Sequence, residues 1–385
     1  MPDDQAVLSA LQPVHDHPDD PEQPSEGIAL CLSGGGYRAM LFHLGALWRL
    51  NELQYLPKLS RVSSVSGGSI TSGALALHWK NLGFDANGFA LNFDQQLTQP
   101  IRGMASQSVD ISSIVGGIFG GVSKHVQDHY NKYLYTHAKL QDIADSPRFV
   151  FNATSLQTGV LWRFSKPFMG DYKVGLVMKP DVELATAVAA SSAFPPVLAP
   201  CVLQLDPNSF DPNLKPPPVI TNPDFRKQIV LADGGVYDNL GLETAWKQNK
   251  TILVSDGGGL LEAEADPGKD WLGMTNRVLS VIYNQVGALR KRAVIEFFSS
   301  QVRVGSYWGI GTDIRNYQLP TALACPIDAT TKLAQTATRL TALDATLQEQ
   351  LIDWGYAVCD SAMRRWVVPN AAAPSQSPYG TFKKP

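Results

Sequence analysis

The sequence predicts an α/β fold: a central, mostly parallel sheet layered between helices, with a helical C-terminal extension. Three observations carry this. A short apolar strand, a glycine turn and a helical pattern follow one another twice in succession near the start of the chain. Two further apolar runs, Gln228–Ala232 and Thr251–Ser255, each lead into Asp-Gly-Gly. The chain beyond 260 carries long stretches of helical periodicity.

Taken in order, residues 1–26 are acidic and proline-rich and read as a flexible leader. Ile28–Leu32 is the first strand. It ends in Gly34-Gly35-Gly36, after which Tyr37–Leu53 has helical spacing through Met40, Leu41, Leu44, Leu47, Trp48 and Leu50. Arg61–Val65 is the second strand, and Ile70–Trp79 a helix apolar on most faces and therefore buried. Residues 85–145 are less regular and read as an insertion. Within it Ile111–Val122, apolar and glycine-rich, suits either a mobile lid or lipid-contact loop, or ordinary connecting structure. Arg148–Ala153 is a strand and Leu184–Ala190 a small-residue helix running into Ser191-Ser192-Ala193-Phe194-Pro195-Pro196. Residues 205–226 form a surface excursion. Trp271–Phe298 and Thr331–Val367 are helical, the second with Leu340, Leu343, Leu347 and Leu351 on one stripe. These readings give a catalytic core over 27–260, a helical extension over 261–368 packed on it, and a tail over 369–385.

Composition narrows the function. The 385 residues are 44% hydrophobic and 17% charged, as in a globular protein. A formal net charge of −3 leaves no basic footprint for nucleic acid. Cys31, Cys201, Cys325 and Cys359 form no C-x-x-C pair and read as reduced thiols. The N-terminus lacks the basic-then-apolar layout of a secretory signal, and no apolar run approaches the ~20 residues of a membrane span. The expected location is the cytoplasm, with transient contact at a membrane surface.

The chemistry lies in three turns. Ser66 sits in Ser64-Val65-Ser66-Gly67-Gly68, a variant of the G-x-S-x-G elbow in which small residues flank a nucleophile on a sharp strand-to-helix turn. Gly34, Gly35 and Gly36 can turn backbone N–H groups outward to hold an oxyanion. Asp233 ends a strand before two glycines, where a carboxylate could take the serine proton once burial had raised its pKa. Asp256, before Gly257-Gly258, has the same local setting, and isolated physics hardly separates the two. All seven histidines lie at or before His137, so a Ser, acid, His order has no histidine after Asp233. The economical reading is a Ser–Asp dyad. Weaker alternatives are a triad of Ser66 with Asp128 and His129 or His137, metal binding at His125 and His129, and a dinucleotide fingerprint in Gly34, Gly36 and Ala39. The metal reading lacks a third ligand, and the dinucleotide reading lacks the acidic residue about 20 positions on.

Four motifs in order resemble the patatin-like phospholipase family: Ser33-Gly-Gly-Gly-Tyr-Arg-Ala, Val65-Ser66-Gly-Gly-Ser, the Ser191-Ser-Ala-Phe-Pro-Pro segment, and Asp233-Gly-Gly followed by Val236-Tyr237-Asp238-Asn239. The resemblance spans roughly 27–260. It implies a patatin-like sheet, hydrolysis of lipid carboxylic esters, Ser66 as nucleophile, Asp233 rather than Asp256 as base, and Gly34, Gly35 and Gly36 as oxyanion donors. Arg38 and Gly67 are implied as supporting residues. The departure is Ser64 in place of the first elbow glycine. The activity implied is that of a phospholipase A or lysophospholipase acting on a lipid substrate without metal or cofactor. The alternatives are an acyltransferase using the same acyl-enzyme and a lipid-binding protein with a silent site.

Overall fold

The structure, a computed structural model, describes residues 24–109, 121–215 and 217–382. Most of the expected leader and nearly all of the 111–122 lid or lipid-contact segment fall outside them.

Ten strands make one sheet in the order β10-β9-β1-β2-β3-β4-β5-β6, with β8 also on β3 and β7 on β8. Its strands are β1 (Ser25–Leu32), β2 (Leu59–Ser64), β3 (Arg148–Ser155), β4 (Leu161–Phe164), β5 (Phe168–Asp171), β6 (Gly175–Met178), β7 (Cys201–Gln204), β8 (Gln228–Asp233), β9 (Asn249–Asp256) and β10 (Val304–Gly309). The five strands from β10 to β3 are parallel. Beyond β3 every pairing is antiparallel. The α/β class and its layering are borne out, on a mixed sheet whose parallel half carries the expected turns at its carboxyl edge.

The main helices are α1 (Gly36–Glu52), α2 (Gly67–His78), α3 (Gln99–Ala105), α4 (Gly121–Tyr130), α5 (Leu184–Ser191), α6 (Trp271–Ser299), α7 (Ile327–Ala334) and α8 (Ala345–Trp366). Helix α1 is buried almost throughout, because the sheet lies under it and α8 crosses over it. The crossing is a backbone contact. A Cβ at Gly45 would lie 1.9 Å from the Ile352 carbonyl oxygen, and one at Gly355 would lie 1.9 Å from that of Phe42. Arg49 of α1 also meets Asp360 of α8 at 2.9 Å in the same buried layer. No helix among the described residues is long and apolar enough to cross a membrane.

Three differences from the sequence reading have local causes. Strand β1 begins at Ser25 because its edge pairs with Asn249 of β9. The helical run expected from Thr331 to Val367 is two helices. Between them, Arg339 accepts a hydrogen bond from the Tyr37 N–H, and Asp344 caps α8 by accepting from the Leu347 N–H. Leu340 is therefore buried from a loop rather than from a helical stripe. The segment beyond 260 is also not all helix, since β10 completes the sheet beside β9. Toward the end of the chain, Asp353 accepts hydrogen bonds from the Tyr379 and Thr381 N–H groups, fastening those residues to α8.

Candidate active site

Ser66 lies between β2 and α2 with φ 51° and ψ −121°, a left-handed conformation that non-glycine residues rarely adopt. The turn is this tight because glycines pack on both sides of it. A Cβ at Gly67 would lie 2.2 Å from the Gly36 carbonyl oxygen, and one at Gly68 would lie 2.4 Å from that of Leu32. The elbow and the glycine loop thus touch backbone to backbone. Ser64, in the position of the first elbow glycine, fits because its hydroxyl faces the Val150 carbonyl and accepts from the Ser69 hydroxyl at 3.0 Å.

Strand β8 brings Asp233 to this turn. On one edge of β3, β2 pairs through Phe151 and then turns away at the elbow; β8 takes over that edge from Ala153, opposite Asp233 itself. Ser191 ties the parts together. Its hydroxyl accepts from the Ser66 N–H at 3.0 Å and donates to the Asn152 carbonyl at 2.7 Å, while its own carbonyl accepts from the Gly234 N–H. Two residues further, the Ala193 carbonyl accepts from the Asp233 N–H.

The Asp233 carboxylate is 1% exposed. Oδ1 accepts from the Gly235 N–H at 2.7 Å. Among the described residues Oδ2 has no fully formed hydrogen bond, although the Ser66 hydroxyl is near enough to favour the ionised form. Burial outweighs both of these stabilising influences and pushes the carboxyl up to about 7. Asp256 is the opposite case. Lys291 meets it at 2.6 Å, the Tyr307 hydroxyl donates at 2.7 Å and the Gly258 N–H at 2.9 Å. Burial opposes its ionisation, but these partners together hold its pKa below the usual carboxylate value. Identical local sequence grammar therefore yields one carboxylate suited to take a proton near neutrality and one committed to an ion pair.

In the glycine loop, Gly35 has φ 146° and Gly36 φ 60°. The Gly34 N–H is already donated to the Asn239 carbonyl at 3.1 Å. The N–H groups of Gly35, Gly36 and Gly67 meet no acceptor among the described residues. Arg38 is buried and donates to the carbonyls of Gly257 and Thr336, so it staples the glycine loop to the turn after β9 and to the loop after α7. Burial lowers its pKa to about 10, still far above neutrality.

His43 and His129 serve elsewhere. His43 donates from Nε2 to the Ser33 carbonyl at 2.9 Å and accepts at Nδ1 from the Ser255 hydroxyl at 2.8 Å, and burial lowers its pKa to about 4. His129 meets the Tyr37 hydroxyl, and Asp128 pairs with Lys124 on the surface. The triad considered for Ser66 with Asp128 is therefore not assembled. A cleft of about 640 Å³ opens beside the glycine loop, lined by Gly34, Gly35, Arg38, Phe194, Asn239 and residues of α6. Ser66 is not in its lining and is 8% exposed.

Comparison with known proteins decides the family. The model of the patatin-like phospholipase family matches residues 30–246, more than half of the chain. The chain belongs to the patatin-like phospholipase family. Human GIVD cytosolic phospholipase A2, in complex with methyl gamma-linolenyl fluorophosphonate inhibitor and terbium chloride, is similar in fold (TM-score 0.50, 14% identity, covering 94% of this chain and 60% of that one). A second structure, of human GIVD cytosolic phospholipase A2, gives TM-score 0.48 at 11% identity, covering 94% of this chain and 64% of that one. VipD from Legionella pneumophila gives 0.32 at 15%, covering 86% and 67%. The chain thus spans less than two thirds of the human structures it matches. No curated protein matches it.

Several residues of this patatin-like site escaped sequence reasoning. Asn239 orders Gly34 through its carbonyl, and its side-chain Oδ1 accepts from the Tyr283 hydroxyl. Tyr283 comes from α6, beyond the family match, and Phe194 packs edge-on against its ring at 5.5 Å. Nothing in the helical pattern of α6 marks one tyrosine as a site residue. Asn239 and Phe194 had a signal, as members of the motif after Asp233 and of the Ser191–Pro196 segment.

Proposed function

We propose that this chain is a lipid acyl hydrolase of the phospholipase A or lysophospholipase type, cleaving carboxylic esters through Ser66 and Asp233. One observation carries the reading: a serine on a strained elbow faces a buried carboxylate whose Oδ2 has no other partner and whose pKa lies near neutrality. In the mechanism, Oδ2 of Asp233 takes the Ser66 proton as Oγ attacks the ester carbonyl carbon. The oxyanion that forms is held by the free N–H groups of Gly35, Gly36 and Gly67, each such donor being worth about 3 kcal/mol in the transition state. Collapse breaks the ester C–O bond, and the departing alcohol takes the proton back from Asp233. Water, deprotonated by the same carboxylate, then releases the fatty acid and restores Ser66.

A fluorophosphonate probe with peptide mass spectrometry tests this. The expected result is an adduct on Ser66 that is lost in Asp233→Asn and kept in Asp256→Asn. Folded protein that takes no label, or labelling indifferent to Asp233, overturns the assignment.

A further inference from the structure

The cleft beside the glycine loop comes up to the catalytic serine without reaching it. Gly34, Gly35, Phe194, Asn239 and Tyr283 line it, and Ser66 does not. Tyr283 stands between the two. Its hydroxyl donates to Asn239 Oδ1 and lies against two glycines of the site. A Cβ at Gly235 would lie 2.1 Å from the hydroxyl oxygen, and one at Gly34 would lie 3.5 Å from that oxygen and 3.1 Å from the Ser66 Cβ. A single methyl group on Gly34 would thus touch the serine and the tyrosine at once. Phe194, which also lines the cleft, meets the Tyr283 ring edge-on with 5.5 Å between centroids. There is room beside this ring. Gly287 follows Tyr283 by one helical turn on the same face of α6, lines the cleft, and would bring a Cβ within 4 Å of nothing. The cleft itself, at about 640 Å³, is of a size that takes a whole ligand.

From this placement we infer that the Tyr283 ring, with Phe194 against it, is the partition that closes the cleft off from Ser66 and so sets how bulky an ester the serine accepts on its α6 side. The inference rests on the hydrolase reading only where it speaks of esters; the partition itself is a matter of access. Packed side chains do not compress, so a branched or aromatic group directed toward α6 meets the ring, whereas a slim one does not. Ring and hydroxyl have separate parts. The hydroxyl holds Asn239, whose carbonyl accepts from the Gly34 N–H, and the ring fills the space between serine and cleft. Tyr283→Phe therefore keeps the partition, and Tyr283→Ala removes it and joins the cleft to the serine. Helix α6 lies beyond the family match, so this limit on size comes from the extension of this chain rather than from the four shared motifs.

Access to position 66 can be measured without any hydrolysis. In the full chain carrying Ser66→Cys, the thiol is treated with methyl methanethiosulfonate or with the bulkier benzyl methanethiosulfonate. The rate at residue 66 is followed by peptide mass spectrometry, which keeps it apart from the four native cysteines. The benzyl-to-methyl rate ratio is expected to rise at least about tenfold when Tyr283→Ala is added, to rise with Phe194→Ala as well, and to keep its starting value with Tyr283→Phe. Gly287→Leu added to Tyr283→Ala should bring the ratio back down, because a helical leucine leans over the turn before it and refills the opening. The inference is overturned if Tyr283→Ala leaves the ratio unchanged, if Tyr283→Phe raises it as much, or if Gly287→Leu does not reverse the rise. Where circular dichroism shows that Tyr283→Ala does not fold, Phe194→Ala decides, and an unchanged ratio there overturns the inference. With Ser66 restored, wild type and Tyr283→Ala are compared on ethyl butyrate, naphthyl butyrate and ethyl naphthylacetate. Tyr283→Ala should raise kcat/KM for one of the two bulky esters relative to ethyl butyrate by a similar factor, and a rise on neither overturns the link to specificity. Failure of the hydrolase reading is seen separately, as wild-type protein that cleaves none of the three esters while the thiol ratios behave as expected.

Discussion

Replacing Asp233 by Asn separates what the carboxylate does for catalysis from what it costs the fold. Burial raises this group from 3.8 to about 7. Between those values the folded state keeps a proton that the unfolded state has released, so stability falls as pH rises through the window. The penalty from an ionised Asp233 amounts to about 4 kcal/mol at pH 8 and under about 2 kcal/mol at pH 5. Asparagine keeps the shape and the acceptor for the Gly235 N–H but never ionises. Relative to wild type, Asp233→Asn should therefore gain about 2–3 kcal/mol between pH 5 and pH 8, measured by urea unfolding at each pH. Its ester hydrolysis should fall by about 10²–10⁴, the usual contribution of a positioned general base. In wild type, kcat/KM should rise with pH around a midpoint near 7, because the base acts when deprotonated. Parallel stability curves for the two proteins would refute the burial argument, and undiminished turnover in the variant would refute the role.

Ser66→Ala should abolish ester turnover while leaving the unfolding free energy from urea titration within about 1 kcal/mol of wild type, since relief of the strained turn and loss of the hydroxyl act on a single buried residue. Gly67→Ala places a Cβ 2.2 Å from the Gly36 carbonyl oxygen, so the glycine loop must shift; turnover should fall by at least about tenfold, read as kcat on a soluble ester. Asp256→Asn should keep fluorophosphonate labelling but lose about 1–3 kcal/mol at neutral pH, with the difference shrinking as pH falls through the carboxylate's lowered pKa, because its ion pair with Lys291 acts only when it is ionised. Tyr283→Phe removes the hydroxyl on Asn239 and should lower kcat without altering the circular dichroism spectrum; an unchanged kcat would remove Tyr283 from the positioning of Gly34.

The sequence alone determined the features whose causes are local. Two strand–glycine–helix units, a serine flanked by small residues and the need for glycine at a backbone crossing are written in neighbouring residues, so the positions of β1, α1, β2 and α2 were legible to within a few residues. The antiparallel strands β4 to β6, four residues each, are too short for periodicity to show. Strand β10, with a glycine at each end of Gly305–Gly309, reads as a turn until β9 pairs with it. The break between α7 and α8 contains no glycine or proline; it is held by partners distant along the chain, with the Tyr37 and Val109 N–H groups donating to the Arg339 and Leu340 carbonyls and Arg38 to that of Thr336.

The same division runs through the site. Local pattern offered Asp233 and Asp256 as equals, because each ends an apolar strand before two glycines. Only the tertiary structure told them apart, by bringing Lys291 and Tyr307 from later in the chain to one and leaving the other buried beside Ser66. It likewise assigned the Gly34 N–H to Asn239 and left those of Gly35, Gly36 and Gly67 free. Sequence spacing can say which groups are able to act. Which of them are already engaged depends on partners distant along the chain, and a hydrogen bond or an ion pair forms only where folding brings the two atoms within about 3 Å of each other.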